Sequence, residues 1–245
     1  MILTLQDRED FLNSFLIPLS RVADSAVLKI TANNNISAII TTSDNTLVVH
    51  AVYENIISGI DKNLNIPDLK KFCRVLSCIE EKACVLDITS NHIGYESPAV
   101  RFKYYLYEDN IIKTPKQISL EKLKELPFDG KFTIPFASVV SLIKGSSIAT
   151  ETNKIYITFK DNDVFGELTD KTRANTDSYG IKISSDYSGG PINVQLPLNF
   201  ELFRIISSMK YKALTANIAS KRGLITLDTG TETMKMKFIV SALQN

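Results

Sequence analysis

The 245-residue chain has room for one large domain or two of ordinary size, and with 44% apolar residues it can bury a sizeable core. Its 28 Lys+Arg and 27 Asp+Glu leave a formal charge of +1, which argues against a uniformly basic, DNA-coating protein but allows cations gathered on one surface. Three cysteines without a pairable framework (Cys73, Cys78, Cys84), no leader-like opening and no apolar run approaching the ~20 residues of a membrane span predict a soluble, cytoplasmic protein with no membrane partner.

The first predicted element is a helix over Asp7–Phe15, with Phe11, Leu12 and Phe15 on one face and Pro18 kinking or ending it. Strands are expected at Ala26–Thr31, Ser37–Ser43 and Leu47–Tyr53, with tight turns at Asn33-Asn34-Asn35 and Asp44-Asn45. Leu69–Ile79 is an amphipathic helix. Leu69, Phe72, Cys73, Leu76 and Ile79 recur at helical spacing, Lys70, Lys71 and Arg74 lie opposite, Pro67 stands just before, and Asp68 is placed to cap. Strands follow at Cys84–Thr89 and Val100–Tyr107. Glu108–Gly130, with its charges, Pro115 and Pro127, reads as a linker.

Past the linker, Ala137–Lys144 predicts a helix through Val139, Val140 and Ile143, stopped by Gly145. Strands are expected at Ile155–Phe159, Val164–Thr169 and Tyr179–Ser185, the first two joined through Asp161-Asn162-Asp163. Phe200–Met209 repeats the amphipathic pattern with Leu202, Phe203, Ile206 and Met209 against Arg204; Pro197 precedes it and Asn199 is the expected cap. Leu214–Ala219, Leu224–Asp228 and Met234–Ser241 are the last expected strands.

The two helices of this kind belong to an internal repeat. A shift of 130 residues lays Leu64–Ser90 on Val194–Ser220 without a gap, and seven of the 27 positions are identical, among them Pro67/Pro197, Arg74/Arg204, Lys82/Lys212 and Ile88/Ile218. Leu3-Thr4-Leu5 and Phe132-Thr133-Ile134 each precede a helix in the same way. The chain therefore reads as two similar α+β domains, 1–107 and 131–245, joined by 108–130.

Catalytic chemistry is hard to find in this pattern. His50 and His92 stand far apart among strands, where a lone imidazole is a structural group. The cysteines lack metal-ligand spacing and two lie on or beside the apolar face of a helix. Ser188-Gly189-Gly190 runs into Pro191 and makes a turn, not a phosphate loop. Neither a catalytic site nor a metal or other cofactor is expected. The distinctive feature is a basic set on and beside helices: Lys70, Lys71, Arg74, Lys144, Arg204, Lys210 and Lys212. Its recurrence at equivalent places in the two halves suits a pseudo-symmetric ligand such as duplex DNA.

This organisation resembles the DNA sliding clamps, the polymerase processivity factors that include proliferating cell nuclear antigen and the clamps of T-even-like bacteriophages. Asn91-His92-Ile93-Gly94-Tyr95, Val100 to Asp109, Ile143-Lys144-Gly145-Ser146-Ser147 and Asn153-Lys154-Ile155-Tyr156 are similar to the marine T-even-like phage clamps in particular. The resemblance implies a non-enzymatic homotrimer closed head to tail into a ring. In it the helices face duplex DNA without reading sequence, in the host cytoplasm if phage-encoded. It further implies docking of DNA polymerase, clamp loader and other replication or late-transcription proteins. By the same resemblance the protomer interface would pair Arg101, Phe102, Lys103, Tyr104, Tyr105, Leu106 and Tyr107 with Tyr179, Gly180, Ile181, Lys182, Ile183, Ser184 and Ser185 of a neighbour. Clients would meet Leu123, Leu126, Val240, Ala242 and Leu243. The competing reading is a β-rich virion assembly subunit, which would not need recurrent cations on amphipathic helices.

Overall fold

Alternating apolar residues start the chain as a strand: in β1 (Ile2–Leu5), Leu3 and Leu5 are buried and Ile2 is exposed. The computed structural model describes residues 1–115, 123, 125–209, 211 and 213–243. Two compact units divide the chain, one of residues 1–43, 49–117 and 230–236, the other of 44–48, 118–229 and 237–245.

In the first unit, β1 is followed by helix α1 over residues 8–22. Asp7 caps it by accepting from Asp10 N (2.9 Å). Pro18 does not end this helix. Phe11–Leu16 is wound as a π-helix, so that Ile17 N–H reaches back to Leu12 O, and an α-helical turn Ile17–Val22 continues with Pro18 in its first turn. The wider π-turn just before the proline shifts the backbone bonds by one residue and lets the helix pass Pro18. Strands β2 (Ala26–Thr31), β3 (Asn35–Thr41), β4 (Leu47–Tyr53), β5 (Ile56–Ser58) and β6 (Lys62–Ile66) lead to helix α2 (Leu69–Ser77), and β7 (Cys84–Ile88), β8 (His92–Glu96) and β9 (Arg101–Tyr105) follow it. One sheet has the order β5-β1-β7-β8-β9, and β4-β3-β2-β6 run in sequence in another. The helices cover apolar sheet faces. Phe72 of α2 meets Tyr104 of β9 at 4.9 Å between ring centroids, and the Tyr104 hydroxyl donates to Asp68 O (2.7 Å) and accepts from Asp68 N (3.1 Å). Burial pushes that phenol up to about 12. Each such side chain removed from water contributes about 1.5–3 kcal/mol.

The second unit repeats this order. β10 (Gly130–Pro135) and helix α3 (Phe136–Gly145) precede β11 (Lys154–Lys160), β12 (Asp163–Leu168), β13 (Tyr179–Ser184), β14 (Ser188–Gly189) and β15 (Leu196–Asn199). Helix α4 (Glu201–Ile206) then leads to β16 (Ala213–Ala219), β17 (Leu224–Gly230) and β18 (Met234–Ser241), of which residues 237–241 belong to this unit. The orders β14-β10-β16-β17-β18 and β13-β12-β11-β15 reproduce those of the first unit strand for strand. Register is kept too. Leu3, Thr4 and Leu5 pair with Leu86, Val85 and Cys84, and Phe132, Thr133 and Ile134 pair with Ala216, Thr215 and Leu214, offsets of 129 and 130 residues.

Two expected helix ends in the second unit take a different form. Gly145 lies inside α3: a Cβ there would sit 2.0 Å from Tyr179 Cε1, so this glycine serves close packing of β13 on the helix and is not a left-handed stop. Helix α4 ends at Ile206, short of the expected Met209, because the Ser207 and Ser208 hydroxyls bond back to Arg204 O (2.8 Å) and Ile205 O (2.6 Å) and the turn tightens. At its start Asn199 accepts from Glu201 N (2.9 Å), although the capping position itself is Phe200. The expected turns at Asn34, Asn45 and Asp161 adopt left-handed backbone, with φ of 59°, 57° and 55°.

Candidate nucleic-acid interface

Helix α2 buries Leu69, Phe72 and Leu76, so its other side must face out, and that side carries Lys70, Lys71 and Arg74, all exposed. Asp68 caps its N-terminus by accepting from Lys71 N (2.7 Å). Lys70 pairs with Asp24 at 3.2 Å. Lys71 and Arg74 make no ion pair among the described residues. Arg21, in the last turn of α1, is exposed as well. Sequence reasoning missed it because Pro18 reads as the end of the helix that places it. The signal that could have found it is the apolar set Phe15, Leu16, Leu19 and Val22, all buried, which continues helical spacing past the proline.

Among the described residues, the helices of the second unit present fewer free cations. Lys144 is exposed on α3. Arg204 is half-buried: its guanidinium donates to Asn153 Oδ1 (2.8 Å), pairs with Glu201 Oε2 (3.0 Å) and lies 5.1 Å from the Phe200 ring centroid. Lys210 and Lys212 lie outside the described residues.

The strands expected at a protomer interface stand at sheet edges. β9 ends the order β5-β1-β7-β8-β9 and β13 ends the order β13-β12-β11-β15. On β9, Arg101, Lys103 and Tyr105 are exposed, Phe102 is half-buried and Tyr104 is buried; Leu106 and exposed Tyr107 carry the chain on, their N–H groups donating to Asn91 O and Asn65 O. On β13, Gly180 and Lys182 are exposed, Tyr179 and Ile181 half-buried, and Ile183 and Ser184 buried, with Ser185 exposed beyond. Of the expected client-binding residues, Leu126, Ala242 and Leu243 are half-buried. Leu123 and Val240 are only 7% and 1% exposed, so their side chains offer almost no surface. Ala242 N bonds Gly223 O (2.6 Å) and Leu243 N bonds Pro197 O (2.8 Å), which lays this last stretch along the second unit.

His92 is held locally by Thr89 Oγ1 (2.8 Å) and Asn91 Oδ1 (2.9 Å). Cys73 is half-buried and Cys84 buried, and burial pushes both thiols up to about 11; Cys78, past the end of α2, is exposed. Among the described residues no three His, Cys, Asp or Glu side chains gather to hold a metal, and no helix is long and apolar enough to cross a membrane.

No protein-family model and no curated protein matches the sequence. Solved structures do match. Proliferating cell nuclear antigen from Entamoeba histolytica aligns over 99% of this chain and 98% of its own, with a TM-score of 0.77 at 13% identity. The A. fulgidus protein of that name, solved with the C-terminal region of FEN-1 bound, aligns over 100% and 99% with 0.77 at 11%. A chain of the PCNA2-PCNA3 complex from Sulfolobus tokodaii aligns over 99% of both with 0.74 at 13%. The protein thus has the α+β clamp fold of proliferating cell nuclear antigen along its whole length.

Proposed function

We propose that this chain is one protomer of a homotrimeric sliding clamp, a non-catalytic ring that encircles duplex DNA and tethers the replicative DNA polymerase. The observation that carries the reading is end-to-end agreement with the clamp fold, joined to cations on the outward face of α2. Such cations meet phosphates, and phosphate contact positions without reading sequence, as a ring that slides requires. The unpaired edges of β9 and β13 support closure: their pairing between neighbours is a head-to-tail contact that generates a ring and removes two exposed edges at once.

The proposed partners are the polymerase, a clamp loader and further replication or late-transcription proteins, in the cytoplasm of a phage-infected host. Leu126, Ala242 and Leu243 are the exposed part of the proposed client surface. The relative solved with a FEN-1 tail bound supports peptide docking on this fold.

Two measurements test this. Light scattering should give three times the chain mass. A duplex biotinylated at both ends should trap the protein when streptavidin is added after it and exclude it when streptavidin is added first. Binding that ignores the order of addition would sink the topological reading.

A further inference from the structure

The repeat that makes the two helices alike in fold makes them unlike in charge. At the offset of 130, Lys70, Lys71 and Arg74 of the first unit correspond to Phe200, Glu201 and Arg204 of the second. Three cations stand on one helix, and an aromatic, an acid and an arginine on the other. The difference is not idle. Glu201, at the position of Lys71, pairs with Arg204 (3.0 Å), Phe200, at the position of Lys70, lies under the same guanidinium (5.1 Å), and Asn153 takes a further hydrogen bond (2.8 Å). Lys71 and Arg74 have no such partner among the described residues, and Arg21 adds an exposed cation on the helix that packs beside α2. Lys70 is paired, but with an Asp24 side chain that is 90% exposed, and an ion pair so open to solvent is weak.

We propose that the duplicated helices α2 and α4 are unequal as DNA surfaces: α2 carries phosphate contact through Lys71 and Arg74, with Arg21 beside them, while α4 is a near-neutral face whose arginine is kept on its own helix. This rests on the sliding-clamp reading. To reach a phosphate Arg204 must leave Glu201, whose carboxylate would then repel the same phosphate. Arg204 therefore releases few counterions.

The test is binding of a short fluorescent duplex by anisotropy across a salt series, with the full-length protein. Arg74→Gln and Lys71→Gln should each flatten the slope of log affinity against log salt, by about 0.9 for each phosphate no longer neutralised. Arg204→Gln should leave the slope where it is. Glu201→Gln frees Arg204 and should raise affinity and steepen the slope, a change opposite to any caused by damage to the helix. The proposal is overturned if Arg204→Gln flattens the slope as much as Arg74→Gln, or if Glu201→Gln changes nothing. A wild-type protein that is not trapped on the end-blocked duplex would overturn the clamp reading itself, whereas normal wild-type binding with equal effects from both helices would overturn only the division between them.

Discussion

Asp129 shows how one carboxylate can hold a turn together. Its Oδ2 accepts from Ser220 Oγ (2.7 Å) and from Ser220 N, at the short 3₁₀ turn Ser220–Arg222, so the stretch before β10 is fastened to the end of β16. These two bonds favour the ionised form and lower its pKa from the ordinary 3.8. A carboxylate whose folded pKa is lowered contributes stability above its unfolded value and loses that contribution as pH falls through the folded one. Asp129→Asn retains one acceptor oxygen, exchanges the other for an NH2 donor and removes the charge. The urea midpoint of the variant should fall below wild type near neutral pH, and the gap should close as the pH drops below 3.8. A gap that persists in acid would show that the carboxylate charge is not what matters there.

Among the elements, α2 depends on its cap. Asp68→Ala removes the acceptor for Lys71 N while leaving the two backbone bonds of residue 68 to Tyr104 intact. The expected loss is about 1 kcal/mol, read from the denaturation midpoint, with amides of the first turn exchanging fastest. The cap, the cationic face of α2 and strands such as Ala26–Thr31, Leu47–Tyr53 and Met234–Ser241 were legible because local periodicity decides them. Lys62–Ile66 and His92–Glu96 were not. The first is short and mostly polar, the second is broken by Gly94, and their pairing with β2, β7 and β9 makes them strands. Pro197 likewise concealed β15. The state of Arg204 was hidden for a related reason, since Asn153 lies 51 residues away and only the fold brings it close.

At the scale of the whole molecule, duplication supplies two copies of one architecture, and divergence of exposed positions gives them different surfaces. Buried positions show the constraint: Ile88 and Ile218 are identical and both fully buried, and Leu86 and Ala216 both pack inward. Outward positions are free to change sign, as Lys71 and Glu201 did. The cysteines, all in the first unit, carry this contrast between inside and outside into reactivity. Cys73 and Cys84 are shielded and hold their protons, whereas Cys78 stands open at the end of α2, its Sγ donating to Arg74 O (3.3 Å). A maleimide at neutral pH should therefore add once per native chain and three times per unfolded chain, counted by intact mass. The native molecule thus comes with a built-in attachment point for a dye one turn from Arg74, and on the proposed clamp reading the colour or brightness of that dye would register the passage of a duplex without any engineered residue.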